Sequence, residues 1–182
     1  MKGPSYGMVL DTRTCVGCSA CVIACKTEND VPDGVTRNWI FTEVSGTYPD
    51  LSMSIRSERC NHCENAPCVA VCPTGASYYG AGGTVQVDAD KCTGCKACIA
   101  ACPYGARFVD PRTDTVDKCT FCLHRLENGT PTTACQDICP TQSIYFGDLN
   151  DPESDVSRLL ASRASYTLLP HAGTRPKHFF LR

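Results

Sequence analysis

The chain has 182 residues, with 17 Lys and Arg against 19 Asp and Glu and a formal charge of −2; no basic block stands out, so nothing points to nucleic acid, and no run approaches the roughly 18–20 apolar residues of a membrane span. Hydrophobic residues make up 42%, but that figure counts sixteen Cys, so the apolar core is modest and cross-linking by disulfides or metal must be weighed before packing. The start, Met1-Lys2-Gly3-Pro4-Ser5-Tyr6, has neither an apolar h-region nor a twin arginine; it predicts no secretory signal, and any membrane contact or export is expected through a partner.

In chain order, residues 6–11 read as a strand and 20–27 as a short helix, with Cys15, Cys18, Cys21 and Cys25 spaced x2-x2-x3 around that helix's start. Residues 39–45 and 51–56 read as strands. The second group, Cys60, Cys63, Cys68 and Cys72, is spaced x2-x4-x3, with a short helix near 66–71. Strand, glycine turn and strand follow over 73–88, a hairpin between two cysteine loops. Gly80-Ala81-Gly82-Gly83 in it is a turn and not a phosphate loop. The third group, Cys92, Cys95, Cys98 and Cys102, is again x2-x2-x3, with a helix near 97–101. Residues 108–109 and 143–146 are strand candidates. Between them lie the fourth group, Cys119, Cys122, Cys135 and Cys139 (x2-x12-x3), and helices near 120–126 and 133–138. Residues 151–164 read as a surface helix, with Asp151 or Ser154 near its start and Leu159-Leu160 inward. The final residues 173–182 look extended and basic.

Every cysteine group opens C-x2-C and closes C-x3-C, and none of the sixteen is left over. Pro73, Pro103 and Pro140 follow the last Cys of groups two, three and four, while group one has Lys26 there. This is the bacterial ferredoxin run C-x2-C-x2-C-x3-C-P with two length variations. Three cysteines on a tight loop wrap one face of a cuboidal cluster, and the fourth points away to a neighbouring cluster. The Pro then turns the chain, because it lacks an N–H and restricts the residue before it. Gly17 and Gly94 permit the tight turn between the first two cysteines. Two alternatives compete. A disulfide framework has no reason to repeat one metal-ligand spacing four times. Structural zinc uses C-x2-C pairs but does not explain the fourth Cys with its Pro. With every ligand position a Cys, four 4Fe-4S clusters are expected.

Crossed ligation requires the groups to pair. Groups two and three are joined by the hairpin, which leaves groups one and four for each other. The predicted sites are Cys15, Cys18, Cys21 and Cys139 (site 1), Cys25, Cys119, Cys122 and Cys135 (site 2), Cys60, Cys63, Cys68 and Cys102 (site 3), and Cys72, Cys92, Cys95 and Cys98 (site 4). The rival pairs group one with two and three with four. The expected fold class is α+β: two nested dicluster ferredoxin-like, βαβ-type modules, loop-rich, with clusters forming much of the core. Residues 1–50 plus 107–150 make the outer module, 51–106 the inserted one, and 151–182 a C-terminal helix and extended tail. The apo-protein is expected to be largely unfolded.

Cations crowd the cysteines: Arg13, Lys26, Arg59, Lys91, Lys96 and Lys118, with His62 and His124. Nearby cations raise the reduction potential of an anionic cluster. Lys96, inside the third cysteine loop, is the candidate for potential tuning; the plain alternative is a solvated lysine. His62 and His124 read as satisfied or partner-facing, and Trp39 as core. No nucleophile–base pair is visible, so no catalytic residue is assigned.

The segments at residues 15–32 (CVGCSACVIACKTENDVP), 60–76 (CNHCENAPCVAVCPTGA), 91–107 (KCTGCKACIAACPYGAR) and 118–126 (KCTFCLHRL), with FGDLNDPES at 146–154 and GTRPK at 173–177, give the chain a resemblance along nearly its whole length. It resembles the four-cluster iron–sulfur subunits of molybdopterin oxidoreductase complexes, most of all the polysulfide and thiosulfate reductase type within the dimethyl sulfoxide reductase superfamily. The resemblance implies a non-catalytic electron-transfer subunit, set between an integral membrane, quinone-reactive subunit and a molybdopterin (Mo or W) catalytic subunit, in anaerobic respiration. A sulfur compound such as polysulfide or thiosulfate is the implied substrate of the complex. Formate, arsenate and tetrathionate systems use similar subunits, and a stand-alone polyferredoxin is the further alternative. By the same analogy site 1 faces the catalytic subunit. The protein would be membrane-associated through its partner, on the periplasmic face by co-export or else on the cytoplasmic side.

Overall fold

The computed structural model describes residues 3–182; Met1 and Lys2, the start of the expected outer module and of the segment read for a signal, lie outside the described residues. The architecture is a mixture of short helices and short strands. Strand β1 (Tyr6–Asp11) lies inside a four-stranded sheet ordered β8-β1-β10-β9, with β8 (Ile144–Asp148), β10 (His178–Leu181) and β9 (Ser165–Tyr166). β1 pairs antiparallel with β8, Met8 opposite Phe146, and parallel with β10, Val9 opposite Phe179. Alternation along these strands sends Met8, Leu10, Ile144, Phe146 and Phe180 toward the cysteine loops. Val9 and Leu181 point the other way, onto Val156 of helix α6 (Asp155–Ser162).

The inner face of the sheet packs into one apolar cluster with Cys21, Cys60, Cys119 and Cys135. The expectation from the sequence is an extended tail over residues 173–182. The tail instead runs back along the second cysteine loop. Lys177 N–H donates to the Asn61 carbonyl (2.8 Å), and the N–H groups of Glu64 and Asn65 donate to the Arg175 and Thr174 carbonyls (2.9 and 3.0 Å). It then enters the sheet as β10, so residues 151–182 share the core with β1 and β8. Only a contact some 170 residues away in the chain makes this strand necessary, and no local pattern announces it.

Strands β2 (Asn38–Thr47) and β3 (Asp50–Arg59) form one long hairpin. It spans the 50/51 boundary expected between the modules. Its base is buried at Asn38, Ser57 and Arg59, and its tip stands in solvent. The hairpin expected between groups two and three is present as β4 (Ser77–Tyr79) and β5 (Val85–Val87), and β6 (Phe108–Val109) pairs with β7 (Val116–Asp117). The remaining helices are α1 (Ala20–Glu28), α2 (Pro67–Ala70), α3 (Ala97–Ala100), α4 (Leu123–Glu127) and α5 (Ala134–Asp137). α4 begins later than the expected residue 120, because Phe121 and Cys122 hold positive φ and cannot be helical. α6 is shorter than the expected 151–164. Residues 151–154 form its capping turn, in which Ser154 Oγ accepts from the Ser157 N–H at 3.3 Å.

Candidate metal centres

The cysteine loops share a backbone device. The residue before the second Cys of each group is left-handed: Gly17 (φ 68), His62 (φ 42), Gly94 (φ 66) and Phe121 (φ 57). This curls each loop so that its sulfurs face one side. Glycine takes that conformation freely, whereas His and Phe pay for it. Here the two non-glycine residues hold each other. Their rings stack at 3.7 Å, both are buried, and His62 Nδ1 accepts the Val85 N–H at 3.0 Å.

All sixteen cysteines are free thiols. Cys15, Cys18, Cys21 and Cys139 line one cavity. Cys25, Cys119, Cys122 and Cys135 line a second. Cys72, Cys92, Cys95 and Cys98 line a third. Cys63 lies within electrostatic reach of Cys60, Cys68 and Cys102. Among the described residues no three His, Cys, Asp or Glu side chains converge on one ion. Four sulfurs around a space suit a cuboidal cluster better than a zinc ion, whose ligands close to about 2.3 Å.

Burial pushes the Cys119 thiol up to about 12 and the Cys63 thiol up to about 11, and it also raises Cys25, where the neighbouring Cys119, Cys135 and Cys122 add to the effect. Such thiols do not ionise alone near neutral pH; a coordinated metal deprotonates them outright. At Cys72 and Cys139 burial is outweighed by hydrogen bonds, chiefly the Ser77 and Ser143 N–H groups, each 3.3 Å from sulfur, and these thiols fall below 9.0. The N–H groups of Phe121 and Val116 reach Cys119 and Cys92 sulfur at 3.5 Å. Two buried guanidiniums also donate to sulfur: Arg59 Nη1 to Cys135 and Arg107 Nη2 to Cys68, both at 2.9 Å. Arg59 Nε and Arg107 Nε and Nη1 have no protein partner, yet Arg59 lines the second cavity and Arg107 the third. Buried donors without acceptors are costly. Their position on the cavity walls fits an anionic group with sulfur acceptors, which is what a thiolate-ligated 4Fe-4S cluster is.

The other cations singled out in the sequence behave differently from one another. Lys96 is exposed, on the wall of the third cavity. Lys26 donates to the Pro32 and Val35 carbonyls (2.6 and 2.9 Å) and so fastens the chain where the other groups have Pro. Exposed Lys91 pairs with Asp88 (2.7 Å), and exposed Arg13 with the buried Asp11 (3.7 Å). His124 Nε2 is 2.8 Å from Glu28 Oε1. Trp39 packs half-buried against the core. Lys118 is buried, its Nζ donating to the Val85 and Cys119 carbonyls. Arg107 was not singled out in the sequence; its signal was its place five residues after Cys102, at the end of C-P-Y-G-A-R. Ser57, fully buried, carried no signal of its own.

A family profile described as a 4Fe-4S dicluster domain matches residues 51–149, and a second profile of the same description matches residues 14–76. The chain is 46% identical over 179 residues to protein NrfC of Escherichia coli, covering 97% of this chain and 80% of that protein. It is 46% identical over 179 residues to one of the chains of polysulfide reductase from Wolinella succinogenes, covering 97% and 93%. It is 40% identical over 181 residues to one of the subunits of tetrathionate reductase from Salmonella typhimurium, covering 97% and 72%.

Proposed function

The protein belongs to the 4Fe-4S dicluster family that includes these reductase components, and on that premise we propose that it is a non-catalytic electron-transfer subunit holding four clusters at sites 1 to 4. Each cluster, when bound, supplies reversible one-electron storage. The chain's own residues hold the sites in a row. Cys21 and Cys25 on α1 serve sites 1 and 2, and Cys68 and Cys72 on and after α2 serve sites 3 and 4. Cys119 of site 2 lies within electrostatic reach of Cys60 of site 3, which supports the series 1-2-3-4 and, with the joining hairpin β4–β5, the nested pairing of the cysteine groups.

The observation that carries the reading is the distribution of exposure. Cys18 of site 1 and Cys95 of site 4 are exposed, whereas all four cysteines of site 2 and three of site 3 are buried. A relay needs its two terminal sites open to partners and its inner sites closed to solvent. The partners are a molybdopterin catalytic subunit, which we place at site 1, and an integral membrane quinone-reactive subunit at site 4. No helix of the described residues is long and apolar enough to cross a membrane; this reading places membrane association through that partner, on the periplasmic face by co-export or else on the cytoplasmic side. The likeness to the polysulfide reductase component over 93% of its length supports a sulfur compound such as polysulfide or thiosulfate as the substrate of the complex.

Three measurements test this. Iron and acid-labile sulfide should each number roughly sixteen per chain, as four cuboidal clusters require; stoichiometric zinc would end the redox reading. Cys25→Ser should damage the site of Cys119, Cys122 and Cys135; loss confined to the site of Cys15, Cys18 and Cys21 would contradict the pairing. Copurification with a pterin-containing subunit and a membrane subunit tests the complex, and a free monomer with neither sinks it.

A further inference from the structure

Four cations are almost fully buried among the described residues, Arg59, Lys118, Lys177 and Arg107; Lys177 is taken up by the Gly82 and Gly83 carbonyls, and each of the other three stands between two of the four sites. Arg59 donates through Nη1 to Cys135 of site 2 at 2.9 Å. Through Nη2 it donates to Ser57 Oγ at 2.6 Å, and that hydroxyl lies 3.4 Å from Cys21 sulfur of site 1. Arg107 donates through Nη2 both to Cys68 of site 3 at 2.9 Å and to Ser77 Oγ at 2.8 Å, while it lines the cavity of Cys72, Cys92, Cys95 and Cys98, site 4. Lys118 is fixed by the Val85 and Cys119 carbonyls, within electrostatic reach of Cys119 on site 2 and of Cys60 and Cys68 on site 3. The side-chain hydrogen bonds of both arginines go to sulfur or to serine hydroxyls, not to carboxylates.

We propose that Arg59, Lys118 and Arg107 are cationic spacers, one at each junction of the series, each raising the reduction potential of both sites it separates. The inference rests on the four-site reading above. Its physical basis is that neighbouring anionic clusters repel, and each added electron deepens the repulsion. A positive charge buried between them acts on both at low local dielectric, unscreened by salt. Surface cations such as Lys91 and Arg13 are screened by solvent and cannot replace it. Without the spacers, reducing one site would disfavour reduction of the next, and electrons would stall along the row. These are positioning residues: the arginines touch ligand sulfurs, Lys118 touches the Cys119 carbonyl, and none of them exchanges electrons.

The test is a redox titration of the iron-loaded protein in its complex, followed by electron paramagnetic resonance, on Arg59→Gln, Lys118→Gln and Arg107→Gln after iron and sulfide have been counted. Each variant should lower two of the four potentials, by at least the equivalent of a tenfold change in the reduction equilibrium, about 59 mV for a one-electron couple. The overlaps carry the proposal. Arg59→Gln and Lys118→Gln should share one shifted potential, Lys118→Gln and Arg107→Gln another, and Arg59→Gln and Arg107→Gln none. Arg59→Lys and Arg107→Lys should restore the potentials. Unchanged potentials at full iron content, or shifts confined to one site per variant, overturn the proposal. Where a Gln variant loses iron, retention of iron and potentials by the charge-keeping variant (Arg59→Lys, Arg107→Lys or Lys118→Arg) supports the charge, and equal loss in both overturns it. If the wild type lacks four one-electron waves, it is the four-site reading that fails, whatever the variants do.

Discussion

The left-handed residue ahead of each second cysteine shows how one backbone requirement is met by different chemistries. At Gly17 the backbone itself supplies it, and the space is tight: a Cβ there would sit 3.1 Å from Ile55 Cγ2. Gly17→Ala therefore meets both left-handed strain and the base of the hairpin, at a cost of about 1–2 kcal/mol. It should show as faster iron loss from site 1 under mild denaturant, with the other sites unchanged. A second residue-scale contact ties the sheet to the segment after α6. Asp11 is hydrogen-bonded and ion-paired to Arg163, which outweighs burial and holds its carboxyl below the ordinary 3.8. A carboxyl lowered on folding contributes stability that is present above its unfolded value and is lost as pH falls through its folded value. The stability difference between wild type and Arg163→Ala should thus be full at neutral pH and shrink as pH falls below 3.8. Denaturant unfolding at several pH values checks this, and a difference that grows on acidification would contradict it.

At the scale of elements, the decisive one is β10. Phe180 is fully buried between β1 and β9, stacked 5.4 Å from Tyr166 and packed with Met8 and Leu10. Phe180→Ala should cost about 3–5 kcal/mol, the range for truncating a buried Phe. The unfolding transition, followed through Trp39 fluorescence, measures it. Because the segment before β10 also bonds the loop carrying Cys60 and Cys63, removing residues 173–182 should release iron from site 3 as well as destabilise the sheet. The one-turn helices act oppositely. α2, α3 and α5 have four residues each, too short to persist alone, so metal and loop must hold them.

For the whole molecule, stability and function draw on the same sixteen sulfurs. Chelating the iron should unfold the cysteine loops, because ligand geometry of this kind is not kept in an unfolded chain; far-ultraviolet circular dichroism before and after iron removal reads it. Partial oxidation in the presence of a chelator should remove iron in two phases, about half quickly from sites 1 and 4 and half slowly from sites 2 and 3, if each site holds a four-iron cluster. The exposed Cys18 and Cys95 are the points of attack. A single phase would contradict the arrangement of open ends and closed middle.

The sequence by itself determined the chemistry. Four cysteine groups, each opening C-x2-C and closing C-x3-C and three of them with Pro after the last Cys, define loops whose geometry is set by residues close together in the chain. The short strands and helices around them, such as Tyr6–Asp11 and the hairpin Ser77–Tyr79 with Val85–Val87, were legible for the same reason. What tertiary structure decided is non-local. The tail returns as a parallel strand beside β1, because burying Phe180 and Leu181 outweighs closing a long loop. Phe121 and His62 adopt a glycine-like backbone because each has the other's ring to stack on. Proximity to Cys in the sequence picked out Arg59 and Lys118 but not Arg107, and it did not separate the buried cations from the exposed ones. Lys96 sits inside a cysteine loop and faces water, while Arg107, outside every loop, is buried against Cys68, because burial depends on what packs over a residue and not on its neighbours in the chain.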